Sequence, residues 1–200
     1  MNRFALGFLT LFLLASSGAP SQEKDKPFVE NTDGQIVIEA EHFHHKIDKD
    51  PHKWVAVKEP AGFSGDGAME AKPNEDANLD NEDFPDISPR LDYKVRFTKP
   101  GKYRVWVRGY GKTESDNSCH VGLDGKAVAT SDRIGDFPAE EWAWINDTKD
   151  NEPATIEIKE AGTRTLNLFM REDGFIADKI LLTRDEKYTP KVKGPAESRE

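Results

Sequence analysis

Between residues 91 and 110 the chain alternates with a period of two on both sides of a Lys-Pro-Gly-Lys turn. Leu91, Tyr93, Val95 and Phe97 alternate with Asp92, Lys94 and Arg96. After the turn, Tyr103, Val105 and Val107 alternate with Arg104, Trp106 and Arg108. A helix repeats every 3.6 residues and cannot hold such a set on one side, whereas a strand sends successive side chains to opposite faces. The same period returns at Cys119, Val121 and Leu123, ahead of an Asp124-Gly125 turn signal. It recurs at Ile156 and Ile158, and at Leu166, Leu168 and Met170 after Ala161-Gly162. No window carries ten residues of helical amphipathicity. A strand with one apolar face needs a second layer to bury it, so the expected fold is an all-β sandwich.

The two ends of the chain read differently. Arg3 precedes an apolar run from Phe4 to Ala15, and small residues follow at Ser16–Ala19. These are the parts of a secretory signal peptide, which sets the expected boundary at 1–19 and the destination as secreted or periplasmic. The run is short for a bilayer span, with an uncleaved anchor as the alternative. Residues 20–33 read as a polar tether, 34–184 as the folded domain, and 185–200 as a flexible tail with Pro190, Gly194 and Pro195 among charges. The lone Cys119 excludes an intrachain disulfide, and its alternation with Val121 makes it a buried apolar residue. The formal net charge of -9 argues against nucleic acid, or an anionic membrane after signal cleavage, as a partner.

Acidic groups stand out on two apolar strands, Gln35–Glu41 and Gly174–Leu182. Glu39 and Glu41 are two apart, so a continuous strand would turn both to one face, and Asp178 adds a third carboxylate. Such a cluster repels itself unless a cation sits within it, and a calcium ion tying the first strand to the last is the expected solution. The alternative is pairing with Lys179 or Arg171. In the acidic stretch after Asn74, the residues Asp76, Asn78 and Asp80 match the first ligand positions of an EF-hand. Asn81 stands where glycine is required and Ile87 where a glutamate belongs, so a solvated loop is expected.

Trp106, Trp142 and Trp144 are each readable as core or as a stacking platform. Trp142 and Trp144 flank Ala143 with the same strand parity, and one of them is expected to be buried. His42, His44 and His45 lack a further metal ligand, and His120 alternates opposite Cys119 and Val121, which places it on the surface. Asn146-Asp147-Thr148 is a glycosylation sequon. The chain has no Gly-x-Ser-x-Gly, His-Glu-x-x-His or phosphate-binding glycine loop, so catalysis is not expected.

The order of motifs resembles a known group. Ile-Glu-Ala-Glu opens the domain, and the Leu91–Gly109 pair of strands forms its middle. Val-Gly-Leu-Asp-Gly, Trp142-Ala-Trp144 and Ala-Gly-Thr-Arg-Thr-Leu-Asn-Leu follow, and Arg-Glu-Asp-Gly-Phe-Ile-Ala-Asp-Lys-Ile-Leu-Leu closes it. This is similar to the galactose-binding-like modules of carbohydrate-binding families 6 and 35 and to the C-terminal module of family 115 glycoside hydrolases. The resemblance implies a jelly-roll sandwich with a structural calcium held by Glu39, Glu41, Asp178 and backbone oxygens of the Phe63–Asp66 turn. It implies a non-catalytic module that binds a polysaccharide or glycan, serving a glycoside hydrolase. The candidate glycan-binding residues are Trp106, Tyr110, Asn117, Trp142, Trp144, Arg171 and Asp173. Ile176 stands where family 6 modules often carry a sugar-binding Asn. An adhesion or protein-interaction sandwich, and a small glycan-active enzyme, are the alternative functions.

Overall fold

The computed structural model describes residues 25–200; the expected signal peptide lies outside them. Among these residues, twelve strands form two sheets. One sheet contains β1 (Phe28–Val29), β6 (Arg90–Phe97), β11 (Gly162–Met170) and β8 (Cys119–Leu123) in that order, with β3 (His45–Ile47) also paired to β6. The other runs β10 (Thr155–Ile158), β7 (Gly101–Tyr110), β12 (Ile176–Thr183), β5 (Ala68–Lys72) and β4 (Lys53–Val57). In this sheet β2 (Gln35–Glu39) pairs with β12 and β9 (Ala143–Ile145) with β7. Among the described residues, a four-residue α-helix, α1 (Phe84–Ile87), precedes β6. No helix among the described residues is long and apolar enough to cross a membrane.

The alternation read in the sequence is the packing seen in the fold. Leu91, Tyr93, Val95 and Phe97, with Leu166 and Leu168 beside them on β11, face Tyr103, Val105, Val107, Ile180 and Leu182 of the other sheet in one continuous core. The Lys99–Lys102 turn is a corner between the sheets rather than a hairpin, because β6 and β7 belong to different layers. Gly162 lies at another such corner, between β10 and β11. Asp124 and Gly125 both adopt positive φ, as a tight two-residue turn requires, and Leu123 bridges Lys126 across it. Cys119 is fully buried, and that burial pushes its thiol pKa well up.

Several expectations change. The domain begins before residue 34: Phe28 is fully buried, and β1 pairs in parallel with Val95 and Arg96. The segment after residue 185 is not a loose tail. Ser198 exchanges backbone bonds with Val29 and Val37, and its hydroxyl accepts from the Val37 N–H at 2.9 Å. Arg199 stacks its guanidinium 4.1 Å from the Phe28 ring centroid. Apolar burial and backbone pairing outweigh the local charge and proline content here. His120 is only 1% exposed instead of lying on the surface. Its ring stacks on Phe84 at 3.8 Å, Nε2 donates to Leu79 O, and Nδ1 accepts from the Arg133 N–H. Asn146 is buried, and its Nδ2 donates to Val105 O and Ala154 O, so the sequon amide is committed to the core.

Candidate functional site

The junction of the terminal strands is built on a bulge. Between Ala177 and Lys179 the register of β12 against β7 shifts by one residue, which is how a bulge re-aims a side chain. Ala177 and Ile180, three apart, both enter the core. Asp178 and Lys179 both turn into the polar junction beside β2. Asp178 is fully buried and Lys179 is 2% exposed.

Glu39 is the last residue of β2, and Glu41 lies in the 3₁₀ turn Ala40–His42, so strand parity is not what brings them together. The loop around Gly65 does. Gly65 has φ +56, and a Cβ there would run into Glu41 Oε1 and sit 3.2 Å from the Glu39 carboxyl carbon. The Ser64 N–H donates to Asp178 Oδ1 at 2.6 Å, and its hydroxyl donates to Glu39 Oε2 at 2.6 Å. The Asp66 and Gly67 N–H groups donate to Glu41 Oε1 at 2.8 and 3.2 Å. Two cations complete the junction. Lys179 Nζ lies 2.9 Å from Glu39 Oε1, and Arg108 Nη1 lies 2.6 Å from Asp178 Oδ2. Burial is the main cause that pushes the Glu39 and Glu41 carboxyls above their usual range, against the hydrogen bonds they accept.

The three carboxylates expected as calcium ligands are therefore neighbours. Calcium takes six to eight oxygen lone pairs directed inward. Here the Ser64–Gly67 turn donates N–H groups to Asp178 and Glu41, and an ammonium and a guanidinium pair with Glu39 and Asp178. Among the described residues, no three His, Cys, Asp or Glu side chains are arranged to hold a metal ion.

Of the expected glycan-binding residues, Tyr110 and Trp142 meet. Their ring centroids are 5.4 Å apart at an interplanar angle of 54°. Tyr110 ends β7 on the face turned away from the core, and the Gly111–Ala139 bridge carries the following chain back toward Trp142. Trp142 is fixed three ways. Its Nε1 donates to Ala61 O at 3.0 Å, the Arg108 guanidinium lies 5.1 Å from its ring centroid, and Gly62 packs against its edge. Tyr110 lines a groove of about 510 Å³ with Val57, Pro60, Glu70, Lys72 and Lys112. The Glu70 carboxylate is held between Lys112 at 2.9 Å and Lys72 at 3.0 Å. The signal for these groove residues was the alternation of Glu70 and Lys72 with Met69 and Ala71.

The remaining expected residues lie elsewhere. Neither Trp142 nor Trp144 is fully buried, against the expectation that one would be. Trp144 donates from Nε1 to Val192 O and packs on Gly194, under the C-terminal segment. Trp106 lies beneath the Arg104 guanidinium at 5.9 Å, and its Nε1 is buried without a partner. Asn117, Arg171 and Asp173 sit at the same end of the sandwich, where Ile176 pairs with Tyr110 and Glu70 and Asn117 packs on Gly111, but they do not line the groove. Arg171 pairs with Glu172 and Asp80, and the Asn117 N–H donates to Glu172. Asp173, fully buried, accepts from the Glu75 and Ala77 N–H groups and bonds His52. A second groove of about 570 Å³, lined by Lys102, Arg104, Thr130, Thr155 and Glu186, opens toward the other end of β7 and has no aromatic wall.

Residues 27–197 match the family described as "Glycosyl hydrolase family 115 C-terminal domain". The chain belongs to that family. The matched span takes in β1 and the C-terminal segment up to Glu197, so both are parts of the family 115 C-terminal domain. A curated relative, "Uncharacterized protein P23" of Formosa agariphila, is 28% identical over 199 residues, covering 83% of this chain and 48% of its own. The domain thus spans about half the length of the curated relative it matches. Among solved structures, the Podospora anserina GH26-CBM35 β-(1,4)-mannanase is similar with a TM-score of 0.52 at 16% identity, over 79% of this chain and 29% of that one. A family 35 carbohydrate binding module from Clostridium thermocellum is similar with a TM-score of 0.50 at 13% identity, over 74% of this chain and 96% of that one. At these identities the likeness is one of fold, the β-sandwich of carbohydrate-binding modules.

Proposed function

We propose that this domain is a non-catalytic carbohydrate-binding module and that Tyr110, backed by Trp142, is the platform of its glycan site. The observation that carries the reading is the tilted Tyr110–Trp142 pair at the edge of a groove that also holds Glu70, Lys72 and Lys112. A pyranose ring has an apolar C–H face and a rim of hydroxyls. It needs an aromatic surface for the first and fixed donors and acceptors for the second. Tyr110 supplies the surface. Lys72 and Lys112 hold the Glu70 carboxylate in a set orientation, so its lone pairs and their remaining N–H groups face a bound sugar without reordering. One aromatic contact and a few hydrogen bonds make a weak site, suited to holding an attached or associated glycoside hydrolase near its polymer rather than to retaining a free sugar. Export of the domain through the Phe4–Ala15 leader would place it where such polymers occur.

The test is calorimetric titration of the purified chain with a panel of plant and algal oligosaccharides, repeated for Tyr110→Ala and Trp142→Ala. Loss of the stacking contact should weaken binding about tenfold or more. Affinities unchanged in both variants, or no binding across the panel, would remove the groove as the glycan site.

A further inference from the structure

The junction of Glu39, Glu41 and Asp178 holds its own positive charge. Both ion pairs are withdrawn from water: side-chain exposures are 3% and 7% for Lys179 and Glu39, and 6% and 0% for Arg108 and Asp178. Lys179 has no unused hydrogen. Lys179 Nζ has three hydrogens and three acceptors, Glu39 Oε1 at 2.9 Å and the carbonyls of Lys193 and Pro195, each at 3.0 Å. Arg108 spreads its guanidinium over Val192 O, Asp178 Oδ2 and Gly62 O. Desolvating two charges is costly unless the partners are close and the remaining hydrogens are bonded; both pairs are close, Lys179 is fully bonded, and Arg108 bonds through each of its three nitrogens. The carbonyls that satisfy the cations come largely from residues 192–195, so the C-terminal segment is part of the junction.

A calcium ion placed among these carboxylates would face N–H groups of Ser64, Asp66 and Gly67 and the two fixed cations. It would have to break the Lys179–Glu39 and Arg108–Asp178 bonds to collect its oxygens. One oxygen, Glu41 Oε2, is buried without a partner, and a single free oxygen does not make a shell of six or more.

We propose that the terminal strands are joined by a metal-independent ionic clip, in which Lys179 and Arg108, anchored by the 192–195 carbonyls, supply the positive charge that a divalent cation would otherwise bring. The clip closes β2 against β12 and the Ser64–Gly67 turn against both, and it is complete in calcium-free surroundings.

The experiment is thermal unfolding of the purified chain in chelator and in excess calcium chloride, with a direct calorimetric titration of calcium. The melting temperatures should agree within about 1 °C, since bound ligand raises stability by mass action and an unbound one does not. The titration should give no binding heat. A rise of several degrees with calcium, or a measurable calcium affinity, overturns the proposal. Lys179→Met strands the buried Glu39 carboxylate and should lower the melting temperature by roughly 6 °C or more. Adding Glu39→Gln to Lys179→Met should recover part of that loss. An unchanged melting temperature in Lys179→Met also overturns the clip. Should the variant fail to fold, the calcium comparison on the unaltered chain decides alone.

Discussion

The Arg108 guanidinium lies 5.1 Å from the Trp142 ring centroid while its Nη1 is 2.6 Å from Asp178 Oδ2. One side chain thus joins the buried end of the sandwich to the aromatic wall of the candidate site. Its Nη2 donates to Gly62 O, in the loop that packs against the edge of Trp142 and whose Ala61 carbonyl accepts from Trp142 Nε1. The loop from Ala61 to Gly67 therefore serves both structures, holding Trp142 at one end and the Glu39, Glu41 and Asp178 carboxylates at the other.

This coupling makes Arg108→Lys a non-conservative change. An ammonium is a point charge. It cannot lie flat over an indole and reach Val192 O, Asp178 and Gly62 O together. At least one buried acceptor loses its donor, which costs about 1–3 kcal/mol. Urea unfolding should show that loss in the midpoint with an unchanged slope, and glycan affinity should fall with it because Trp142 loses its backing. Full stability together with full affinity would show that Arg108 does not couple the two.

Much of this arrangement was legible in the residues, and the parts that were not share a cause. Period-two alternation marked the strands and their core faces because it reports on one strand at a time. It placed Trp106 with Arg104 and Arg108, where the structure has it. It misplaced His120, because the outer face of a strand can be covered by another segment, here the helix carrying Phe84 and the loop carrying Leu79. It missed the order of residues 185–200 for the same reason. Those residues have no apolar period of their own and are held by groups far away in sequence, among them Lys179, Arg108, Trp144 and Val37. Glu39 and Glu41 were rightly paired, but through a turn that meets the Gly65 loop rather than through strand parity. The acidic cluster was visible in the sequence. Of the two cations that answer it, Lys179 was readable as the alternative partner and pairs with Glu39, whereas Arg108 stood unmarked where Arg171 was considered, because it reaches across from β7.

His120 should make the stability of the fold depend on pH in a way most surface histidines do not. Burial against Phe84 and Leu79 is the main cause that holds its pKa down to about 4, from an ordinary value of 6.5. The folded chain keeps the ring neutral, while the unfolded chain takes up a proton below its ordinary value. The contribution is thus fully present above pH 6.5 and is lost as the pH falls from there toward about 4. Nδ1 accepts the Arg133 N–H, so a second ring proton would face another donor. Urea midpoints measured across this range should decline toward acid, and His120→Gln, which has no such titration, should flatten that part of the curve. An identical acid slope in the variant would assign the decline to other groups.

Gly65 is the most exacting backbone position in the junction, and Gly34 offers its control. Both have positive φ, +56 and +75. A side chain on either takes the left-handed penalty of about 1–2 kcal/mol. They differ in what a methyl group would meet. At Gly34 nothing lies within 4 Å, whereas at Gly65 it would collide with Glu41 Oε1 and press on the Glu39 carboxyl. Glu39 cannot easily yield, because Lys179 and Ser64 hold its two oxygens. Gly34→Ala should therefore lose only the backbone penalty, while Gly65→Ala should lose about 1–3 kcal/mol more as carboxylate contacts are displaced. Comparing the two by chemical denaturation separates strain in the chain from crowding at the carboxylates. Equal losses would mean that the Gly65 loop can move away, and that its N–H groups do not fix the carboxylates of the clip.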